Sequence, residues 1–130
     1  MEPRVRLAFL LLIVVQAAHS FEEFAYRLFD VLAPARFVSG LFSDDLARGF
    51  VIANTLLVLF FVWSYVARIR PVHPRGRAFA WGWGLLELGN GISHSLMAVR
   101  AGGYFPGVFT APLLIVISFY LLRRLRDPSR

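Results

Sequence analysis

Residues 7–29 read LAFLLLIVVQAAHSFEEFAYRLF. The stretch opens on nine apolar residues in succession, and a helix needs about 20 predominantly apolar residues to cross a bilayer. Yet His19, Glu22 and Glu23 stand inside the run. At about 100° of rotation per residue, with His19 at zero, Glu23 falls near about +40°, Glu22 about −60°, Tyr26 about −20° and Gln16 about +60°. These residues make one polar stripe on an otherwise apolar helix. An ionisable group near the centre of a span costs about 2.5 to 3.5 kcal/mol on insertion scales, so such groups face a bundle interior and usually mark function. The stripe predicts a spanning helix that contributes half of a buried polar site.

The rest of the chain predicts the same class. Of 130 residues 58% are hydrophobic and 15% aromatic, above what an ordinary globular domain carries, and the expected fold is an all-α integral membrane protein, a four-transmembrane-helix bundle in one domain. Its spans are read as about 5–29, 49–69, 78–99 and 105–122, each bounded by arginine, proline or glycine. The connection DVLAPARFVSGLFSDDLARG, residues 30–49, holds a short interfacial segment, and its SDD can cap the second helix. No internal repeat is visible.

All 14 basic residues are arginine, and they lie in short blocks beside apolar runs. That distribution anchors a membrane protein and gives no support to a nucleic-acid face. With the N-terminus inside, ten arginines (positions 4, 6, 68, 70, 75, 77, 123, 124, 126 and 130) fall on the cytoplasmic side and Arg27, Arg36, Arg48 and Arg100 outside. Both termini are therefore predicted to be cytoplasmic, in the cell membrane. A cleaved signal peptide competes for the first segment, because MEPRVR is a basic lead and VQAA offers small residues near Ala17 and Ala18. The aromatic spacing through FEEFAYRLF favours one long, retained helix. Absence of cysteine removes disulfides and thiolate chemistry.

A second stripe lies in the third span. From Glu87, Asn90 falls near about −60°, Gly91 about +40° and His94 about −20°. Under the assigned topology His19, Glu22, Glu23, Asn90 and His94 share a level in the outer half of the bilayer, with Glu87 deeper. Asn54 and Thr55 in the second span and Thr110 in the fourth fall at a similar depth. A shared cavity is expected there.

These residues carry a resemblance. HSFEE (His19, Glu22, Glu23), NGISH (Asn90 to His94) and PGVFT (Pro106, Gly107, Thr110) resemble, in this order, the three motifs of the HXXEE-motif family over essentially the whole chain. The resemblance implies an integral membrane enzyme and leaves its reaction open.

From the residues themselves, His19, Glu23 and His94 could hold one divalent metal such as zinc. Glu22 or Glu87 would serve as general base and Glu22, Glu23, Asn90 and Thr110 as catalytic groups, with a lipid or other hydrophobic small molecule as substrate. A metal-free alternative uses the carboxylates and histidines as a proton shuttle. Blander accounts also exist. Glu22 and Glu23 could be headgroup-level charges, Asn90 and His94 could be interhelical glue, and Pro106 to Thr110 could be a helix start, with Pro112 freeing a carbonyl in the cavity. His73 reads as a loop residue and the WGWG of residues 81–84 as close packing. A small proton-coupled transporter subunit or a structural membrane protein are the alternative functions.

Overall fold

The computed structural model describes residues 1–127, and these form helices and no strand. In chain order they are α1 (Pro3–Ala25), the short α2 (Leu28–Val31), α3 (Ala33–Phe42), α4 (Leu46–Ser64), α5 (Gly76–Ala101) and α6 (Ala111–Arg126), with a π-helical turn, Tyr65–Ile69, prolonging α4. Asp45 caps α4 by accepting the Arg48 N–H at 3.1 Å, as SDD predicts.

Two helices, α1 and α4 with its extension, are long and apolar enough to cross a membrane, with mean hydropathy 1.5 and 2.1. Four were expected. α5 has 26 residues, but glycine, serine, asparagine and histidine dilute its apolar content. α6 has 16 residues, about 24 Å at 1.5 Å per residue, against a hydrocarbon core of roughly 30 Å.

Two boundaries depart from the expected spans. α1 stops at Ala25 rather than running to Phe29, because Arg27 takes the left-handed conformation at φ 56°. The break turns Leu28 and Phe29 inward, where they pack with Phe50. The last helix begins at Ala111, not 105. Residues 106–110 form turns in which Gly107 holds φ 95°, a conformation glycine tolerates without Cβ strain.

α5 and α6 make an antiparallel pair whose approach depends on small residues. A Cβ on Gly84 would lie 2.7 Å from Leu122 Cδ2, and one on Gly91 would lie 2.8 Å from the Ala111 carbonyl oxygen. α1 packs on α6 and α4, and the shared core contains Phe9, Leu12, Phe61, Trp83, Leu114 and Leu121. Trp83 stacks on Phe61 with ring centroids 3.8 Å apart and donates its indole N–H to Ser64 Oγ at 3.0 Å, so WGWG is a packing element as expected. α3 lies across α4, where the missing side chain of Gly49 admits the Ser39 carbonyl.

Met1, Glu2, residues 72–74, Arg77, Arg124 and Leu125 gather at one end of the bundle. Both ends of the described chain therefore lie on the same side. Arg130, counted with the tail arginines, lies outside the described residues.

Candidate metal centre

His19, Glu22 and Glu23 sit on the last two turns of α1 and are all buried. Because consecutive helical residues point about 100° apart, the two carboxylates cannot serve the same partners. Glu23 turns toward α5, where its Oε1 lies 3.0 Å from His94 Nε2 and 3.2 Å from His19 Nε2. Glu22 turns toward the loop before α6. The two imidazole rings meet edge to face, with centroids 4.6 Å apart.

The Glu22 carboxylate is saturated. Its Oε2 accepts from Tyr104 Oη at 2.7 Å, from the Gly107 N–H at 2.9 Å and from the Phe109 N–H at 3.2 Å, while its Oε1 accepts from the Thr110 N–H at 2.9 Å and the Thr110 hydroxyl at 2.8 Å. A carboxyl group ringed by donors is held in its ionised, acceptor-only form. Backbone N–H groups at the entry to α6 make the cradle, a placement the helix dipole also favours.

That cradle decides the protonation of both histidines. Thr110 Oγ has one proton, and Glu22 takes it. The same oxygen lies 2.6 Å from His19 Nδ1, so it must accept a proton from Nδ1. His94 Nδ1 lies 2.7 Å from the Pro106 carbonyl oxygen, which can only accept, so His94 is also protonated on Nδ1. Each ring then turns its Nε2 toward the same Glu23 oxygen, at 3.2 Å from His19 and 3.0 Å from His94, and the His19 contact lacks the alignment of a hydrogen bond.

The donor set suits a metal. Two imidazoles and a carboxylate are the ligands of catalytic zinc sites that keep a fourth position open, and Nδ1–H groups fixed by oxygen acceptors are the usual outer shell of such ligands. The ligand atoms of His19, Glu23 and His94 all lie within 4.8 Å of one another, close enough for one ion to draw them to the roughly 3 to 4 Å that separates ligands about 2.0 to 2.2 Å from zinc.

Gly107 allows the rings to meet. A Cβ there would lie 2.6 Å from His94 Nδ1 and 2.7 Å from His19 Cε1. The three motifs thus converge on one point: HSFEE supplies His19, Glu22 and Glu23, NGISH supplies His94, and PGVFT supplies the Pro106 carbonyl, the vacancy at Gly107 and the Thr110 relay. The freed carbonyl near the site belongs to Pro106, whereas Pro112 lies in the first turn of α6.

The residues expected around one cavity separate into two groups. A cavity of about 470 Å³ is lined at its polar end by Glu23, His94, Asn90, Gln16 and Asn54. His19, Glu22 and Thr110 stand behind it. The Asn90 side chain hydrogen-bonds neither His94 nor Glu23: its Nδ2 lies 3.4 Å from both Gln16 Oε1 and Glu87 Oε2. Gln16 donates to Ser20 Oγ at 3.0 Å, and Ser20 donates to Asn54 Oδ1 at 2.9 Å, so the carboxamides form one network beside the centre. Glu87 is fully buried, with Oε1 unpartnered. Thr55 and Tyr26 are exposed and take no part, and His73 belongs to the loop at the opposite end. Tyr104 was not singled out from the sequence, since its partner Glu22 lies 82 residues away and no local pattern joins them.

Comparison with known proteins leaves the site to be read from its own chemistry, because no curated protein and no solved structure matches the chain. Residues 10–121 match the model of the family described as proteins of unknown function with an HXXEE motif, and the chain belongs to that family.

Proposed function

We propose that this chain is a membrane-embedded, metal-dependent enzyme, and that His19, Glu23 and His94 hold one divalent ion such as zinc in the outer half of the bilayer. The observation that carries the proposal is the convergence of His19 Nε2, His94 Nε2 and Glu23 Oε1 within 4.8 Å of one another, with both Nδ1 atoms engaged by oxygen acceptors.

Four spans are supported by where apolar surface is left. Each long helix exposes large apolar side chains, among them Phe21 at 71%, Leu59 at 58%, Val99 at 77% and Val116 at 64%, while Gln16, His19, Glu87 and His94 are buried. Polar residues inside and a hydrocarbon belt outside on α1, α4, α5 and α6 is the distribution a bilayer favours. The loop before α6 prolongs its path, making up for the short helix. The arginine bias then puts both termini in the cytoplasm of a cell-membrane protein, and Val5, Phe9 and Leu12 in the core support retention of the first segment.

A zinc ion in such a site acts as a Lewis acid toward a carbonyl and activates water for hydrolysis. This chain's own residues supply the rest. Glu22 and Thr110 hold His19 in the ligating tautomer, Pro106 does the same for His94, and Asn90 offers an amide beside the centre to orient a substrate oxygen. Glu22, saturated by its five donors, is a positioning residue rather than a base. Glu87, buried beside Asn90, is the carboxyl group left for proton transfer. The substrate is a lipid or other hydrophobic molecule reaching the cavity from the bilayer. The direct Glu23–imidazole contacts also support a metal-free proton-transfer enzyme, in which a proton occupies the place of the ion.

Elemental analysis of detergent-purified protein decides between these. About one divalent ion per chain is expected, and its loss in the His19→Ala, His94→Ala double variant. Folded protein that takes up no zinc on reconstitution would leave the proton-transfer alternative.

A further inference from the structure

The cavity beside the centre is asymmetric in chemistry. Its polar end carries three carboxamides, Gln16, Asn54 and Asn90, next to Glu23 and His94, and its walls are apolar, with Leu32, Val38, Phe50 and Leu86 among them. None of the described arginines lines it. A phosphate or sulfate head would meet no guanidinium there, whereas carboxamides match an uncharged donor–acceptor group.

Two details point to an occupant. Asn90 reaches both of its acceptors at 3.4 Å, close to the limit for a hydrogen bond, so a ligand oxygen offers its amide a better partner. Ser39, in the wall contributed by α3, is 1% exposed and its hydroxyl has no partner. The volume of about 470 Å³ belongs to the range that holds one small ligand, and the α2–α3 segment that closes one side is the element lying across α4.

We propose that this cavity binds a single-chain lipid with an uncharged hydrogen-bonding head, a fatty ester, amide or alcohol, with the acyl chain along α3 and the head at Asn90, Glu23 and His94. The proposal rests on the membrane-embedded enzyme described above and names its substrate class. Substrate enters from the bilayer beside α3, and in an ester or amide the bond to be broken lies at the junction of head and chain, beside Glu23 and His94. Hydrolysis of such an ester adds water across the acyl C–O bond and releases a fatty acid and an alcohol.

The test is photolabelling of the full chain in nanodiscs with three diazirine-bearing lipids: a monoacylglycerol, a monoacylglycerol phosphate and a diacyl phosphatidylcholine, with labelled sites mapped by mass spectrometry. The monoacylglycerol is expected to label residues 28–38 and 50–57, and Val38→Trp, which fills the cavity from a half-exposed position, should reduce that labelling about tenfold. Asn90→Ala should reduce it as well, with the protein still folded by circular dichroism. Labelling should persist in the parent protein after treatment with a chelator, so that failure to bind metal and failure to bind lipid are separate results. Equal labelling by the phosphate-headed or diacyl probe, labelling indifferent to Val38→Trp, or no labelling of these segments would each overturn the assignment.

Discussion

Glu22 and Glu23 are adjacent, identical and buried, yet their surroundings differ completely. Glu23 meets the Nε2 atoms of two imidazoles at 3.0 and 3.2 Å, while Glu22 meets hydroxyl and backbone N–H donors. The difference follows from a rotation of about 100° between neighbours on a helix. It also places Thr110 between Glu22 and His19: its hydroxyl donates to Glu22 and its oxygen faces His19 Nδ1 at 2.6 Å. Thr110→Val keeps the shape and removes the relay, and loss of an outer-shell partner of this kind costs about 10- to 100-fold in metal affinity. Zinc titration of the variant should show that loss, and Thr110→Ser should restore affinity. Equal zinc affinity in Thr110→Val and the parent would show that the hydroxyl does not set the tautomer.

At the scale of elements, the centre is built where helices fail to continue. α1 breaks at Tyr26 and Arg27 just after presenting its carboxylates, and α6 starts late, leaving residues 107–110 free to aim N–H groups at Glu22. The α5–α6 pair then brings His94 under Pro106, and its closeness rests on glycines that are not equivalent. A Cβ on Gly91 would meet the Ala111 carbonyl and Ile115 at 2.8 Å, whereas one on Gly89 would meet nothing within 4 Å. Gly91→Ala should therefore destabilise the protein by about 1 to 3 kcal/mol through overpacking. Gly89→Ala, in open space on the same helix, should stabilise it by about 0.5 to 1 kcal/mol through helix propensity and reduced unfolded-chain entropy. Thermal unfolding in detergent separates the two, and the same sign for both would show that helix propensity, rather than the α5–α6 contact, governs these positions.

At the scale of the molecule, the gathering of Met1, Glu2, the 72–77 loop and Arg124 at one end requires an even number of passes if the bundle crosses a bilayer. Reporter fusions at residue 1 and after residue 127 should report the same, cytoplasmic side, and a reporter inserted at Gly103 the opposite one. Opposite signals from the two ends would rule out four spans. Intact-mass measurement of the inserted protein should show the first 18 residues still attached, since Val5, Ala8, Phe9 and Leu12 fill the core. A mass lacking 17 or 18 residues would mean that the bundle forms without them.

Much of the centre was legible in the chain because its signals are local. Ionisable groups at helical spacing inside an apolar run must face inward whatever the rest of the fold does, which picks out His19, Glu22, Glu23, Glu87 and His94, all of them buried. The helical class and the Asp45 cap are local too. What only the tertiary structure decided are pairings across long stretches of chain: Glu22 with Thr110, 88 residues apart, and Tyr104 with Glu22. From sequence, Glu22 looked as fit for catalysis as Glu23, and PGVFT looked like the start of a helix. The N–H groups of Gly107, Phe109 and Thr110 can find a carboxylate only when α6 is packed on α1. That packing turns one glutamate into the anchor of a loop and leaves the other facing two histidines.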